Sequence, residues 1–132
     1  PLIIVDGPPG IGCPVISASA GANLALIVAE PGASGLHDLL RIVETLKHFN
    51  IPTSVVINKA DIFPEGKKAI YELTDHLDLN MIGEIPYDPD FSRAIVQAQP
   101  ITKFSPDSVA SLQICAIWEI LKQQLLLDKR LT

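Results

Sequence analysis

Aliphatic runs recur along the chain, each followed by a polar turn. Residues 2–6 (LIIVD), 25–30 (ALIVAE) and 54–59 (SVVINK) are short and almost continuously apolar, and residues 81–86 (MIGEIP) form a weaker run. Runs of this kind predict strands covered on both faces, because a half-exposed strand alternates apolar and polar positions. The intervening segments follow a helical period. Ser34 offers an N-cap, and Leu36, Leu39, Leu40, Val43 and Leu46 then share one face up to residue 49. Asp38 sits in the first turn of that helix, and Lys47 and His48 complement its last turn. Ile70, Leu73 and Leu77 mark a second helix over 64–76. The stretch Ser105-Pro106-Asp107-Ser108 predicts a cap, a first-turn proline and an acid for a last helix reaching towards Leu127. A helical turn over 91–98 precedes it. Strands alternating with helices predict an α/β fold, a mostly parallel sheet flanked by helices, in one domain over residues 1–132.

Composition narrows the function more than the fold. The chain has 132 residues, enough for one core and short for two. Hydrophobic residues make up 48% but aromatic ones only 5%, an aliphatic balance that suits a helix-covered parallel sheet better than a β-sandwich. A net charge of −5 without any basic stripe excludes a nucleic-acid surface. No apolar run reaches the roughly 18 residues of a membrane span, and no secretory leader is visible. The two cysteines, Cys13 and Cys115, are far apart and not in CxxC spacing. Neither a disulfide framework nor a zinc site follows, and a reducing cytoplasm fits. The chain begins at Pro1 and is apolar from Leu2, which predicts a piece of a longer protein.

In such a sheet, ligands bind beyond the carboxyl ends of the strands. Four ends carry polar or turn-forming residues: Asp6-Gly7-Pro8-Pro9-Gly10, Glu30-Pro31, Asn58-Lys59-Ala60-Asp61 and Pro86-Tyr87-Asp88. Taken singly, each is also ordinary loop chemistry. Gly7 and Gly12 have the glycine spacing of a phosphate-binding loop, but Cys13-Pro14 stand where Lys and Ser or Thr are needed. Asp6, a carboxylate at the tip of an apolar run, suits the second shell of Mg²⁺, with Gly10 in a turn that orders around a γ-phosphate. It equally suits a helix or turn cap. Asn58-Lys59-Ala60-Asp61 is an N-K-x-D motif. The Asn58 amide can donate and accept at a purine edge, and the Lys59 stem can cover a ring face. In a GTPase the same motif reads guanine, with Asp61 accepting from the N1 and N2 donors. Adenine reading, guanine reading and a non-catalytic α/β interaction domain all remain open on these residues.

Taken together, L-I-I-V-D-G-P-P-G-I-G-C-P-V-I, V-A-E-P-G-A-S-G-L-H-D and V-V-I-N-K-A-D-I resemble the C-terminal half of the MinD/ParA-like P-loop ATPases. Within the CobQ/CobB/MinD/ParA nucleotide-binding proteins, the likeness is to the group with an inserted ferredoxin domain, often labelled cobyrinic acid a,c-diamide synthase. The resemblance implies that Asp6 is the Walker B-like acid near Mg²⁺ and that Gly10 belongs to the switch II turn. It implies that Asn58 contacts adenine, that Pro86 and Asp88 border the base, and that Glu30 and Pro31 shape a dimer-facing surface. ATP and Mg²⁺, an ATP-promoted homodimer and iron–sulfur or redox partners follow by the same resemblance, with any iron–sulfur cluster in the insert. The family's Walker A loop and ferredoxin cysteines are not in these residues, so the chain on its own is expected to be catalytically incomplete. Of the remaining side chains, Cys13 is either a redox-sensing or a buried inert thiol. Cys115 and Trp118 are expected to pack in the core of the last helix.

Overall fold

The computed structural model describes residues 2–7 and 13–128. The elements run α1 (Cys13–Ser19), β1 (Ala25–Ala29), α2 (Ala33–His48), β2 (Thr53–Asn58), α3 (Pro64–His76), β3 (Asn80–Ile85), α4 (Asp90–Val96), α5 (Ile101–Phe104) and α6 (Val109–Asp128). The three strands form one parallel sheet in the order β1-β2-β3. Helices flank it, as the sequence pattern predicts: α2 and α3 connect successive strands, and α6 lies on the opposite face.

Side-chain parity explains this layering. Ile27, Ala29, Val55 and Ile57 point to one face and close a core with Leu39, Val43 and Leu46 of α2 and Ile70 of α3. Val56 and Ile82 point to the other face and meet Ile117 of α6. The central strand β2 is therefore buried on both sides, which is why it reads as an unbroken aliphatic run.

One irregularity in β3 matters for the site. Val55 pairs with Met81, but Val56 pairs with Gly83, so Ile82 is an extra residue in the ladder. This bulge shifts the alternation by one place and brings Glu84 opposite Ile57, on the α3 face. Gly83 permits it: a Cβ there would come within 2.6 Å of Ile117 Cγ1 and 2.9 Å of its Cδ1.

Several sequence expectations are corrected. Residues 2–6 form no strand, and Leu2, Ile3, Ile4 and Val5 are exposed. A strand is held by its neighbour's hydrogen bonds, and among the described residues nothing pairs with this run. The α2 helix begins at Ala33 with Gly32 at the N-cap and no side-chain cap, so Ser34 lies inside the first turn. Gly35 brings that turn against the end of β1, where a Cβ would collide with the Glu30 carbonyl. Cys13 begins α1, with its side chain outside the described ones, and the short α5 carries no signal in the sequence pattern. Ser108 does cap α6, accepting from the Ser111 amide at 3.2 Å, whereas Pro106 and Asp107 precede the helix. Cys115 is exposed and not in the core, because the side of α6 carrying Leu112 and Cys115 faces away from the sheet. Trp118 is only half-buried, with Lys122 Nζ 5.9 Å from its ring centre. Finally, α6 covers β2 and β3 but leaves Leu26 (38% exposed) and Val28 (58% exposed) of β1 open.

Candidate functional site

Asn58 ends β2, and the chain turns sharply at the next residue. Lys59 has φ +52°, the left-handed conformation that a side chain rarely adopts. The turn is fixed from both directions: the Ala60 amide donates to the Ile85 carbonyl at 3.0 Å, and the Ile62 amide donates to the Lys59 carbonyl at 3.2 Å. The first bond links the loop after β2 to the end of β3.

Two side-chain systems radiate from this turn. Towards β1, the Lys59 ammonium lies 3.0 Å from Glu30 Oε1 and 3.1 Å from Oε2, and the Asn58 amide donates to Oε1 at 3.4 Å. Glu30 follows β1, so the carboxyl ends of two neighbouring strands are cross-linked. The pair is about half exposed, and an exposed ion pair contributes about 0–1 kcal/mol, so its role is orientation more than stability. Towards β3, Asp61 Oδ1 accepts from the Tyr87 amide at 2.6 Å. Asp88 turns elsewhere: its Oδ1 accepts from the Asp90 amide at 2.9 Å, an Asx turn that leads into α4.

Asp61 and Pro86 line one open cleft of about 380 Å³, whose walls include Lys67, Glu84 and Gln113. Lys67 Nζ lies 3.1 Å from Glu84 Oε2, and the Tyr71 hydroxyl donates to Glu84 Oε1 at 2.6 Å. Partial burial, then the hydrogen bond to Glu84 and its charge, push the Tyr71 phenol up to about 12. Glu84 thus has both oxygens engaged within the protein. From the sequence Lys67 reads, with Lys68, as a basic pair on a solvated helix face, whereas the structure ties it to Glu84; Tyr71 and Glu84 were not singled out. Lys67 and Tyr71, one helical turn apart, were a local signal, but Glu84 joins them only because of the bulge.

Asn58, Lys59, Asp61 and Pro86 are therefore brought together, with Glu30 and the Tyr87 amide as partners that the motif alone does not reveal. Asp6 is exposed in the irregular segment 2–7, and Gly10 lies outside the described residues. Among the described residues, no group of three or more His, Cys, Asp or Glu side chains could enclose a metal ion. An exposed oxygen donor such as Asp6 has the chemistry that Mg²⁺ takes, whereas an iron–sulfur cluster takes several thiolates.

No family model matches the chain. Among curated proteins, an uncharacterized protein of Methanocaldococcus jannaschii is 35% identical over 120 residues, 91% of this chain and 39% of the relative. An iron–sulfur cluster carrier protein of Aquifex aeolicus is 27% identical, over 92% of this chain and 36% of its own length. An uncharacterized ATP-binding protein of M. jannaschii is 29% identical, over 88% and 44%. Among solved structures, MinD of A. aeolicus in its MinC:MinD complex is 26% identical with a TM-score of 0.72, covering 86% of this chain and 48% of that one. The chain is a homologue of the MinD/ParA-type P-loop ATPases.

The fold agrees. MinD of Pyrococcus furiosus superimposes with a TM-score of 0.74 at 23% identity, over 89% of this chain and half of that one. The α/β sheet flanked by helices is therefore the MinD/ParA P-loop fold in part. This MinD/ParA homologue spans about two fifths of the length of the curated relatives it matches. Among its described residues, no helix is long and apolar enough to cross a membrane.

Proposed function

We propose that this chain is the C-terminal part of a MinD-like protein that binds and hydrolyses ATP, and that it supplies the base-reading loop and the Walker B/switch II turn. One observation carries the reading. In a homologue of P-loop ATPases, the Asn58-to-Asp61 loop and the loop beginning at Pro86 are hydrogen-bonded together at the carboxyl ends of adjacent parallel strands. Asn58 presents an amide to the purine edge, the Lys59 stem lies beside it, and Pro86 and the Asp88 turn border the base.

In this reading Asp6 is the Walker B-like acid and Gly10 belongs to the turn that responds to the γ-phosphate. Mg²⁺, when bound with the nucleotide, neutralises charge on the β- and γ-phosphate oxygens. Asp6 would be the carboxylate that helps to hold that ion. The Walker A lysine and hydroxyl come from residues other than these 132, since no G-K-[ST] occurs among them. ATP then favours a homodimer, with Glu30 and Pro31 near the dimer-facing surface. Kinship with an iron–sulfur cluster carrier supports an iron–sulfur or redox partner in the cytoplasm. A ferredoxin insert of the kind in the CobQ/CobB-related group would house any cluster outside this chain.

The runner-up is a GTPase, favoured by the complete N-K-x-D motif. Titrating the whole protein with MgATP and with MgGTP separates the two. Saturable binding of MgATP with release of phosphate is expected. Tighter binding of MgGTP would make the runner-up the better reading, and binding of neither would leave an interaction domain.

A further inference from the structure

We propose that Asp61 is a positioning residue, a pin between the two base-site loops, and that this use of its carboxylate turns the site away from guanine. The inference rests on the nucleotide-binding reading above and adds a role that the motif alone would not assign.

The geometry is asymmetric across the motif. Asn58 ends its strand with its amide near the surface, in a long 3.4 Å bond to Glu30, while three residues later Asp61 reaches across to β3 and accepts from the Tyr87 amide at the shorter 2.6 Å. An N–H held by a carboxylate is a charge-assisted bond, stronger than a neutral one. The backbone prepares it: Lys59 in the left-handed region folds the chain back over the sheet, and Ala60 donates to Ile85 at 3.0 Å, two residues before Tyr87. Two links in parallel therefore fix Pro86, which lies between Ile85 and Tyr87, against the turn that carries Asn58.

Reading guanine requires the Asp carboxylate to accept from two ligand donors, N1–H and the N2 amine, with both oxygens in one plane. Here Oδ1 already accepts from the Tyr87 amide, which fixes the direction of the carboxylate. Turning it towards guanine would exchange that charge-assisted bond for one from the amide to water, since the contact lies at the surface. An adenine presents no such pair of donors and asks nothing of Asp61.

Two variants of the whole protein test the pin. Asp61→Asn keeps an oxygen that can accept from the Tyr87 amide, whereas Asp61→Ala removes it. Asp61→Ala is expected to weaken MgATP binding about tenfold and Asp61→Asn to remain within about twofold of the parent, as loss and retention of one such bond imply. Hydrogen exchange at the Tyr87 amide is expected to speed up in Asp61→Ala alone, and this readout needs no nucleotide. Unchanged Tyr87 exchange in Asp61→Ala overturns the pin, even if the protein binds neither nucleotide and the function proposed above falls separately. A guanine-reading Asp changed to Asn would offer a donor to the 2-oxo group of xanthine. Binding of xanthosine triphosphate gained by Asp61→Asn would therefore overturn the selection against guanine.

Discussion

The tight turn at Lys59 illustrates how much of this site depends on single residues. A lysine in the left-handed region costs about 1–2 kcal/mol in backbone energy. The cost is carried where the ammonium reaches Glu30, so the strain and the cross-strand contact belong to one arrangement. Asn58 and Asp61 were readable from the sequence because the motif that carries them is contiguous. Their partners were not, since Glu30 and the Tyr87 amide meet them only through strand adjacency. Tyr71 gives a titration that tests the local structure. Its phenol ordinarily titrates at 10.0 and here is pushed up to about 12, so the folded chain holds that proton more tightly than the unfolded chain. The resulting stabilisation is complete below pH 10 and is lost as pH rises towards 12. Urea unfolding across pH 9 to 12 should show this loss in the parent protein, and Tyr71→Phe should remove that part of the pH dependence.

Among the elements, those with one strong local signal match their predicted spans. The β2 strand is apolar on both faces, and α3 opens at Pro64, a residue suited to the first helical turn. Residues 2–6 have the same composition as β2 but no neighbour among the described residues, and composition cannot supply hydrogen bonds. The α2 start was misplaced by a short distance because Gly32 caps it without a side chain, so Ser34 was the more visible signal. The bulge in β3 had no signature beyond a glycine in a strand, which is compatible with several causes. Its dependence on that glycine is testable. Gly83→Ala would drive a methyl group into Ile117, and overpacking of this kind costs about 1–3 kcal/mol. Chemical denaturation should report a loss in that range. A variant combining Gly83→Ala with Ile117→Val, which removes the Cδ1 methyl, should recover part of it.

For the molecule as a whole, the two faces of the sheet are unequally covered. The α2 and α3 side closes over all three strands, whereas α6 leaves β1 with Leu26 and Val28 uncovered, and Leu2 to Val5 add more exposed aliphatic surface. Hydrophobic content set the fold class correctly, but it could not say which apolar surface would be covered, because coverage is a property of the assembled layers. Among the described residues, β1 also lies at the edge of the three-stranded sheet, and no strand pairs with the backbone groups on its outer side. Natural sheets protect such an edge with a charge, a proline or a bulge, and β1, Ala-Leu-Ile-Val-Ala, has none of these. As a free polypeptide the 132-residue chain should therefore self-associate as its concentration rises, in sedimentation velocity experiments. Val28→Lys should keep it monomeric to higher concentration, and an unchanged profile in that variant would mean that another surface drives the contact. The strand next to the Asn58-to-Asp61 turn is thus also where an unprotected copy of the chain would begin to aggregate.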